Sequence, residues 1–354
     1  MSFDLASLGW DDRRAGEFAR HALVDVVPGR VARVDRGVCT ALTAAGAVRA
    51  GLGGAVAGSA RDPALLPCAG DWVAVRSWPD GRVTAEVVLP RRSAVIRRTA
   101  DKDSTGQVLA ANLDVAAVVE PLDPSPDLGR IERLTALAWE SGATPMVVLT
   151  KADRAADPDA LVETVAQVAP GAQVVAVSAQ TGAGLDTLLP LVAAGHTLGL
   201  LGPSGAGKST LVNALVGAGV MDVQQVRRAD GKGRHTTTYR ALVPVPGGGA
   251  VLDTPGIRAV GLLDAADGVD QTFADVVALA GRCRFADCRH VTEPGCAVRE
   301  ALESGELPTP RFERWLRLQR EVAYEMRRRD ARLAAEERNR WKRLTQEARQ
   351  RSRR

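Results

Sequence analysis

Three observations predict a multidomain α/β chain. Residues 20 to about 95 hold short runs that alternate apolar and polar side chains between glycines, the pattern of a small β-barrel. From about residue 111, apolar strand runs alternate with helical segments, the pattern of a parallel sheet with crossover helices. From about residue 264 helices dominate, and three of the five cysteines gather there beside a histidine.

Bulk properties narrow the class. The chain has 354 residues, 45% of them apolar and 25% charged, and no apolar run approaches the length that crosses a bilayer. Residues 1–10 are mixed rather than basic then apolar, so no signal peptide is expected and the chain is placed in the cytoplasm. An odd number of cysteines, clustered late, points to a reducing compartment and a metal site rather than a disulfide framework. The net charge of +4 is uneven: residues 311–354 carry 16 Lys+Arg against 7 Asp+Glu, which leaves the first 310 residues net negative. The basic character belongs to the tail.

In the barrel region, Val31-Ala32-Arg33-Val34, Asp71 to Arg76 and Arg82 to Val87 read as strands, and Pro79-Asp80-Gly81 joins the last two as a hairpin. Gly46 to Ser59 is so rich in glycine and alanine that a mobile loop is expected there. A barrel of this size fits the oligonucleotide-binding (OB) type. Trp72 and Trp78 read as barrel packing, with base stacking as the second reading. Cys39 and Cys68 stand alone and read as small buried hydrophobes.

In the middle region, Val115–Val119, Met146–Leu149, Val174–Val177 and Leu198–Leu201 are strand runs, with helices expected near 127–141, 157–168 and 184–192. Thr237 to Val245, the Gly247-Gly248-Gly249 turn and Ala250 to Leu252 read as a β-hairpin.

The stretch Gly202-Pro203-Ser204-Gly205-Ala206-Gly207-Lys208-Ser209-Thr210 follows the Thr197–Leu201 strand and precedes a helical run from Leu211 to Leu215. In that context a glycine-rich loop wraps phosphate, with its N–H groups and the helix N-terminus turned to the anion. Lys208 would reach the β- and γ-phosphates, and the Ser209 hydroxyl would hold Mg²⁺. Thr150-Lys151-Ala152-Asp153 ends a strand; the Asp153 carboxylate can accept from guanine N1–H and its exocyclic amine, with the lysine stem across the ring. Ser178-Ala179 opens the turn after the next strand and offers a backbone N–H to guanine O6. Asp253-Thr254-Pro255-Gly256 would direct Asp253 to Mg²⁺ and the Gly256 amide to the γ-phosphate. In Arg234-His235-Thr236-Thr237-Thr238, Thr237 can complete the Mg²⁺ shell. Together these strings signal a guanine nucleotide. ABC-type ATPases and guanylate kinases share the phosphate loop, but an ABC ATPase needs a Ser-Gly-Gly-Gln-type signature that does not occur.

Base-reading segments precede the phosphate loop, so this is a circularly permuted phosphate-loop GTPase domain; moving the termini of a parallel sheet cuts only one loop. The segments around the γ-phosphate then lead straight into the C-terminal region. Ile257 stands where many GTPases place a water-orienting glutamine. His235 is the substitute candidate, beside Lys208 and Thr237 in the catalytic set; an RNA-facing or solvated histidine is its other reading.

Cys283, Cys288, His290 and Cys296 form a three-thiolate, one-imidazole set, the closed shell of one structural zinc ion. With this set in place, the chain resembles the ribosome small-subunit-dependent GTPase A family (RsgA, also called YjeQ). The resemblance also rests on Ala111-Asn112-Leu113-Asp114, Gly233 to Thr238, and Cys283-Arg284-Phe285-Ala286-Asp287-Cys288-Arg289-His290 leading to Glu293-Pro294-Gly295-Cys296. It implies an OB-fold RNA-binding domain over 1–97, a permuted GTPase domain over 98–263, and a helical zinc domain with a basic C-terminal helix over 264–354. It further implies a cytoplasmic monomer, away from membranes, that binds the small ribosomal subunit and its rRNA late in assembly, hydrolyses GTP when docked and leaves with GDP. The family usually has asparagine where this chain has Thr150; threonine can still hydrogen-bond nearby loops but lacks the amide's second donor, so lower nucleotide affinity is expected. The arginine-rich tail reads either as an rRNA-binding helix or as a solvated one. The alternative function is an RNA-binding assembly placeholder with GTP as a structural ligand; Lys208, Ser209 and Asp253 favour the enzyme.

Overall fold

The computed structural model describes residues 2–35, 37–59, 62–98, 106–217, 241–254 and 265–329. His235, Thr237, Gly256, Ile257 and the tail beyond 329 lie outside the described residues. Helix α1 (Asp12–Ala19) starts at Asp11, whose carboxylate accepts the Arg14 N–H. The chain then closes a barrel from β1 (Val26–Asp35), β2 (Val38–Thr43), β3 (Gly46–Leu52), β4 (Trp72–Ser77) and β5 (Val83–Val88). The order is β1-β2-β3-β5-β4, with β3 and β5 parallel and the other neighbours antiparallel, an OB-like connectivity. Inward-facing Val31, Cys39, Ala50, Val73 and Ala85 fill the interior.

The mobile loop expected over Gly46–Ser59 is instead β3 followed by a short helix, α2 (Gly54–Gly58). The small residues answer to space. Ala50 is fully buried in the barrel, and a Cβ on Gly53 would stand 2.9 Å from the Ala85 carbonyl oxygen. Trp72 packs: it is buried and edge-on to Trp10, with ring centroids 4.9 Å apart. Trp78 is half-buried, donates to Thr84 Oγ1 at 2.7 Å and has the Arg76 and Arg82 guanidinium groups against its ring. Both lone cysteines are buried.

A hairpin of β6 (Ala94–Arg98) and β7 (Gly106–Ala111) leads into the main sheet. That sheet holds β8 (Val115–Pro121), β9 (Thr144–Thr150), β10 (Gln173–Ala176), β11 (Thr197–Leu201), β12 (Ala241–Pro244) and β13 (Ala250–Asp253). Its order is β10-β9-β8-β11-β13-β12, parallel except for the β12–β13 hairpin. Crossovers run through α3 (Leu128–Glu140) and α4 (Pro158–Ala166), and α5 (Lys208–Val216) follows the phosphate loop. The helix expected near 184–192 is two 3₁₀ turns, Leu185–Thr187 and Leu189–Val192. Pro190 lacks the N–H that a longer helix would need there. Among the described residues the helices α6 (Ala266–Thr272), α7 (Ala274–Ala280), α8 (Ala297–Ser304) and α9 (Thr309–Arg329) follow.

One apolar core runs from Leu8 and Trp72 through Val118 and Ile131 to Val298 and Phe312, so the barrel, sheet and terminal helices pack as one body. Two buried polar knots fix their arrangement. Arg30 of β1 donates to Gly70 O at 3.0 Å, Asn112 O at 2.9 Å, Thr197 Oγ1 at 3.1 Å and the Leu8 carbonyl. Burial pulls its pKa down to about 10. At the other end, Glu132 of α3 is fully buried and accepts from Arg311 at 2.8 Å and from Arg314, both on α9. Arg311 also binds Asp275 at 2.6 Å and covers the Phe273 ring. Burial pushes the Glu132 carboxyl up, against the pull of the two arginines.

Removing one partner of a buried ion pair strands the other. Glu132→Ala should therefore destabilise the chain by about 3–5 kcal/mol, read as a lower denaturant midpoint at constant slope. A loss below 1 kcal/mol would mean that Asp275 and the Val168 and Thr272 carbonyls satisfy Arg311 without it.

Candidate functional site

The carboxyl ends of β9, β10, β11 and β13 meet at one rim of the sheet, the place where open α/β sheets bind ligands. Thr150, Ser178, Gly202 and Asp253 stand at or just beyond these ends. Segments far apart in sequence thus converge there. At Gly202 the loop leaves the sheet so close to β8 that a Cβ would lie 2.3 Å from the Val119 carbonyl oxygen. Ser204, Gly205, Ser209 and Thr210 are exposed along the loop, while Gly202, Ala206 and Lys208 are buried and Pro203 and Gly207 half-buried.

Lys208 opens α5 and donates through Nζ to Gly202 O and Pro203 O, both at 2.8 Å. Burial lowers its pKa, and the Asp253 charge opposes that shift. Burial conversely raises the Asp253 carboxyl, against Lys208 and the Ser209 hydroxyl. Ser209 Oγ donates to Asp253 Oδ2 at 3.3 Å, whereas Asp253 Oδ1 is buried without a hydrogen-bond partner among the described residues. An unsatisfied carboxylate oxygen beside a hydroxyl is a hard-oxygen donor set, and it fits Mg²⁺.

At the base-reading end, Lys151 takes a left-handed conformation (φ +60°), which turns the chain off β9 into a short 3₁₀ turn over Ala152–Arg154. The half-buried Ala152 ties to β10 through its N–H on Val177 O at 3.1 Å. Asp153 is exposed, and Ser178 Oγ donates to its Oδ1 at 2.5 Å, holding the carboxyl below its ordinary range. Ala179 follows at the same turn, half-buried. Lys151 Nζ donates to Asp123 O at 3.2 Å, and Arg130 donates from Nε to the buried Glu120 carboxylate at 2.9 Å. Sequence reasoning missed Asp123 and the Glu120–Arg130 pair, because neither sits in a short string of distinctive residues.

The second site lies between α7 and α8. One ligand atom from each of Cys283, Cys288, His290 and Cys296 falls within 4.8 Å of the others. The Cys283–Cys296 sulfurs are 3.9 Å apart, and His290 Nδ1 lies 3.6 and 3.4 Å from them. A tetrahedron with metal–sulfur bonds of about 2.3 Å has sulfur–sulfur edges of about 3.8 Å, so the residues fit a closed metal shell. His290 has φ +60°, and its ring packs against Phe312 and Trp315 of α9. Glu293 braces the loop: its carboxylate accepts the N–H groups of Arg289 at 3.1 Å, Val291 at 2.9 Å and Thr292 at 3.0 Å. These bonds, the Val291 one first, hold its pKa down to about 2. Sequence reading gave Glu293 no role; a carboxylate inside a ligand loop was the available signal.

Glu293→Gln removes the charge that those three amides share. It should weaken metal binding at pH 7, measured with zinc as the probe by chelator competition on the full chain. Unchanged zinc affinity would assign the loop's shape to its backbone alone.

A family model described as RsgA GTPase matches residues 88–263. The chain is 52% identical over 342 residues to the small ribosomal subunit biogenesis GTPase RsgA of Streptomyces coelicolor, covering 96% of this chain and 92% of that protein. The protein of the same description from Opitutus terrae is 44% identical over 359 residues, covering 99% and 98%. Among solved structures, YjeQ from Thermotoga maritima matches with a TM-score of 0.60 at 26% identity, covering 84% of this chain and 98% of that one. YloQ, described as a circularly permuted GTPase, matches with a TM-score of 0.56 at 22% identity, covering 85% and 96%, and shares the fold. With 52% identity spread over nearly its whole length, the chain belongs to the RsgA GTPase family.

Proposed function

We propose that this chain is a GTPase of small-ribosomal-subunit biogenesis, converting GTP to GDP and phosphate with a rate raised by the docked subunit. The observation that carries this reading is the meeting of Asp153, the phosphate loop and Asp253 at one rim of the permuted sheet. Asp153, oriented by Ser178, selects guanine, and the Lys151 stem lies across the ring. Gly202 to Thr210 wraps the phosphates, and Lys208 transfers its bonds from the Gly202 and Pro203 carbonyls to the β- and γ-phosphate oxygens. Ser209, Thr237 and Asp253 hold Mg²⁺, which supplies charge neutralisation at the phosphates. The Gly256 amide faces the γ-phosphate, and His235 orients the attacking water. One structural zinc ion, held by Cys283, Cys288, His290 and Cys296, fixes the loop between α7 and α8. The barrel and this zinc loop contact rRNA, and the protein works as a monomer in the cytoplasm.

Three measurements test the reading. GTP hydrolysis by the full chain should rise when purified small subunits are added, and the rise should shrink at higher salt because charged docking is screened. Absence of any stimulation would favour the placeholder reading. His235→Ala should lose most of the stimulated turnover while keeping GDP binding; unchanged stimulated turnover would remove His235 from the reaction. Asp153→Asn should shift preference from guanosine to xanthosine nucleotides, because the amide then matches the altered base edge. GTP binding unaffected by this change would refute the assigned base contact.

A further inference from the structure

Next to the end of β8 stands a carboxylate, Glu120, with no exposed surface. A buried charge needs partners, and those of Glu120 are all donors. Its Oε1 accepts the Asp127 N–H at 3.1 Å and an Arg130 guanidinium N–H, and its Oε2 accepts from Arg130 Nε at 2.9 Å. Asp127 caps α3, its own carboxylate accepting the Arg130 N–H at 3.0 Å. Glu120 therefore ties the end of β8 to the start of α3 and closes the loop of residues 122–127 at its base. The near side of that loop is fastened to β9, where the Leu122 N–H donates to Thr150 O at 2.9 Å. At the exposed tip is Asp123, whose carbonyl takes the Lys151 ammonium at 3.2 Å. The sheet order is β10-β9-β8, so the segment leaving β9 is held from both sides. Lys151 is drawn to the loop after β8, and Asp153 is drawn to Ser178 in the turn after β10.

We infer that Glu120 is a positioning residue for base binding: clamped to Asp127 and Arg130, it fixes the loop whose Asp123 carbonyl anchors the Lys151 ammonium. The inference rests on the guanine-nucleotide reading above and divides its labour. Asp153 reads the edge of the base, and Lys151 covers its ring. A free lysine side chain loses rotamer freedom when it lies against a ring. Lys151 is held at one end by its left-handed backbone and at the other by Asp123 O, so much of that freedom is already gone before the nucleotide arrives. Glu120 itself touches no nucleotide in this arrangement; it acts through the loop and the lysine.

The test is a double-mutant cycle on GDP affinity, read by displacement of a fluorescent GDP analogue from the full-length protein. Glu120→Gln keeps the shape but replaces one acceptor atom by an NH₂ group that faces donors, so the clamp cannot close. It should weaken GDP about three- to tenfold, the worth of one lost hydrogen bond. Lys151→Met keeps an apolar stem without the ammonium, and in that background Glu120→Gln should add nothing. Inosine diphosphate lacks the exocyclic amine that Asp153 reads. In Glu120→Gln it should weaken by the same factor as GDP, because a stem across the ring does not sense that amine. Arg130→Ala, at a side chain 33% exposed, carries the same comparisons should the buried change not fold. Unchanged GDP affinity, full additivity with Lys151→Met, or a larger loss for GDP than for inosine diphosphate would each overturn the inference while the guanine-nucleotide reading stands. A wild type that binds no GDP would overturn both.

Discussion

Strand β11 lies between β8 and β13 and pairs parallel with both, Leu198 opposite Val115 on one side and Val251 on the other. This double pairing is the constraint on which the rest of the molecule depends. In the permuted order β8 and β11 are separated by the strands β9 and β10, yet their pairing sets the phosphate loop beside the loops that leave β8 and β9. Parallel strands all end on the same edge, so a nucleotide-sized site forms wherever the chain happens to start. Close approach of the backbone then does the fine placement. Gly202 sits against the Val119 carbonyl, and Thr150 reaches the Ala206 carbonyl without a long side chain.

The flanking regions are joined to this sheet by buried charge rather than by surface area alone. Arg30 hangs on carbonyls and one hydroxyl from the N-terminal segment, the barrel and the sheet, and Asn112, itself in a left-handed conformation, ties the same knot by accepting from Arg14 at 2.6 Å. Burying a guanidinium is expensive, so these bonds contribute less to net stability than to orientation. Glu132 plays the matching part toward the C-terminal helices. It shares α3 with Arg130, which binds Glu120 near the base-reading rim, and with Arg133, which pairs with Glu321 of α9 at 2.6 Å. A shift of α3 would be felt at both ends, because a buried ion pair tolerates no partial break.

Much of this was legible beforehand, for physical reasons that differ by element. The phosphate loop and the metal quartet are written in short strings because backbone curvature and ligand spacing demand particular residues close together. The strands β8 to β11 are written as apolar runs because both faces of the sheet are covered. Gly46 to Ser59 misled because small residues mark tight packing as readily as mobility; only the neighbouring Ala85 distinguishes the two. The 184–192 segment misled because apolar spacing survives in 3₁₀ turns, while Pro190 limits their length. Thr150 bonds a nearby loop, as its hydroxyl allows, and the structure names the acceptor, the Ala206 carbonyl, which a motif position cannot. The Glu132 knot was invisible because its arginine partners lie more than a hundred positions away, whereas the Glu293 brace left only the weak signal of a carboxylate inside the ligand loop.

Within the site itself, the two charges that matter most are held under opposite stress. Burial favours the neutral form of Lys208 and the neutral form of Asp253, and each is kept charged in part by the other. A phosphate beside the lysine and a divalent cation beside the carboxylate would each restore the charged form of its neighbour. Ser209 is exposed at the loop and bonded to Asp253, which ties the two together. In chain order β13 ends at Asp253, and the chain beyond it leads into α6, which packs on α3 and so on the Glu132 knot.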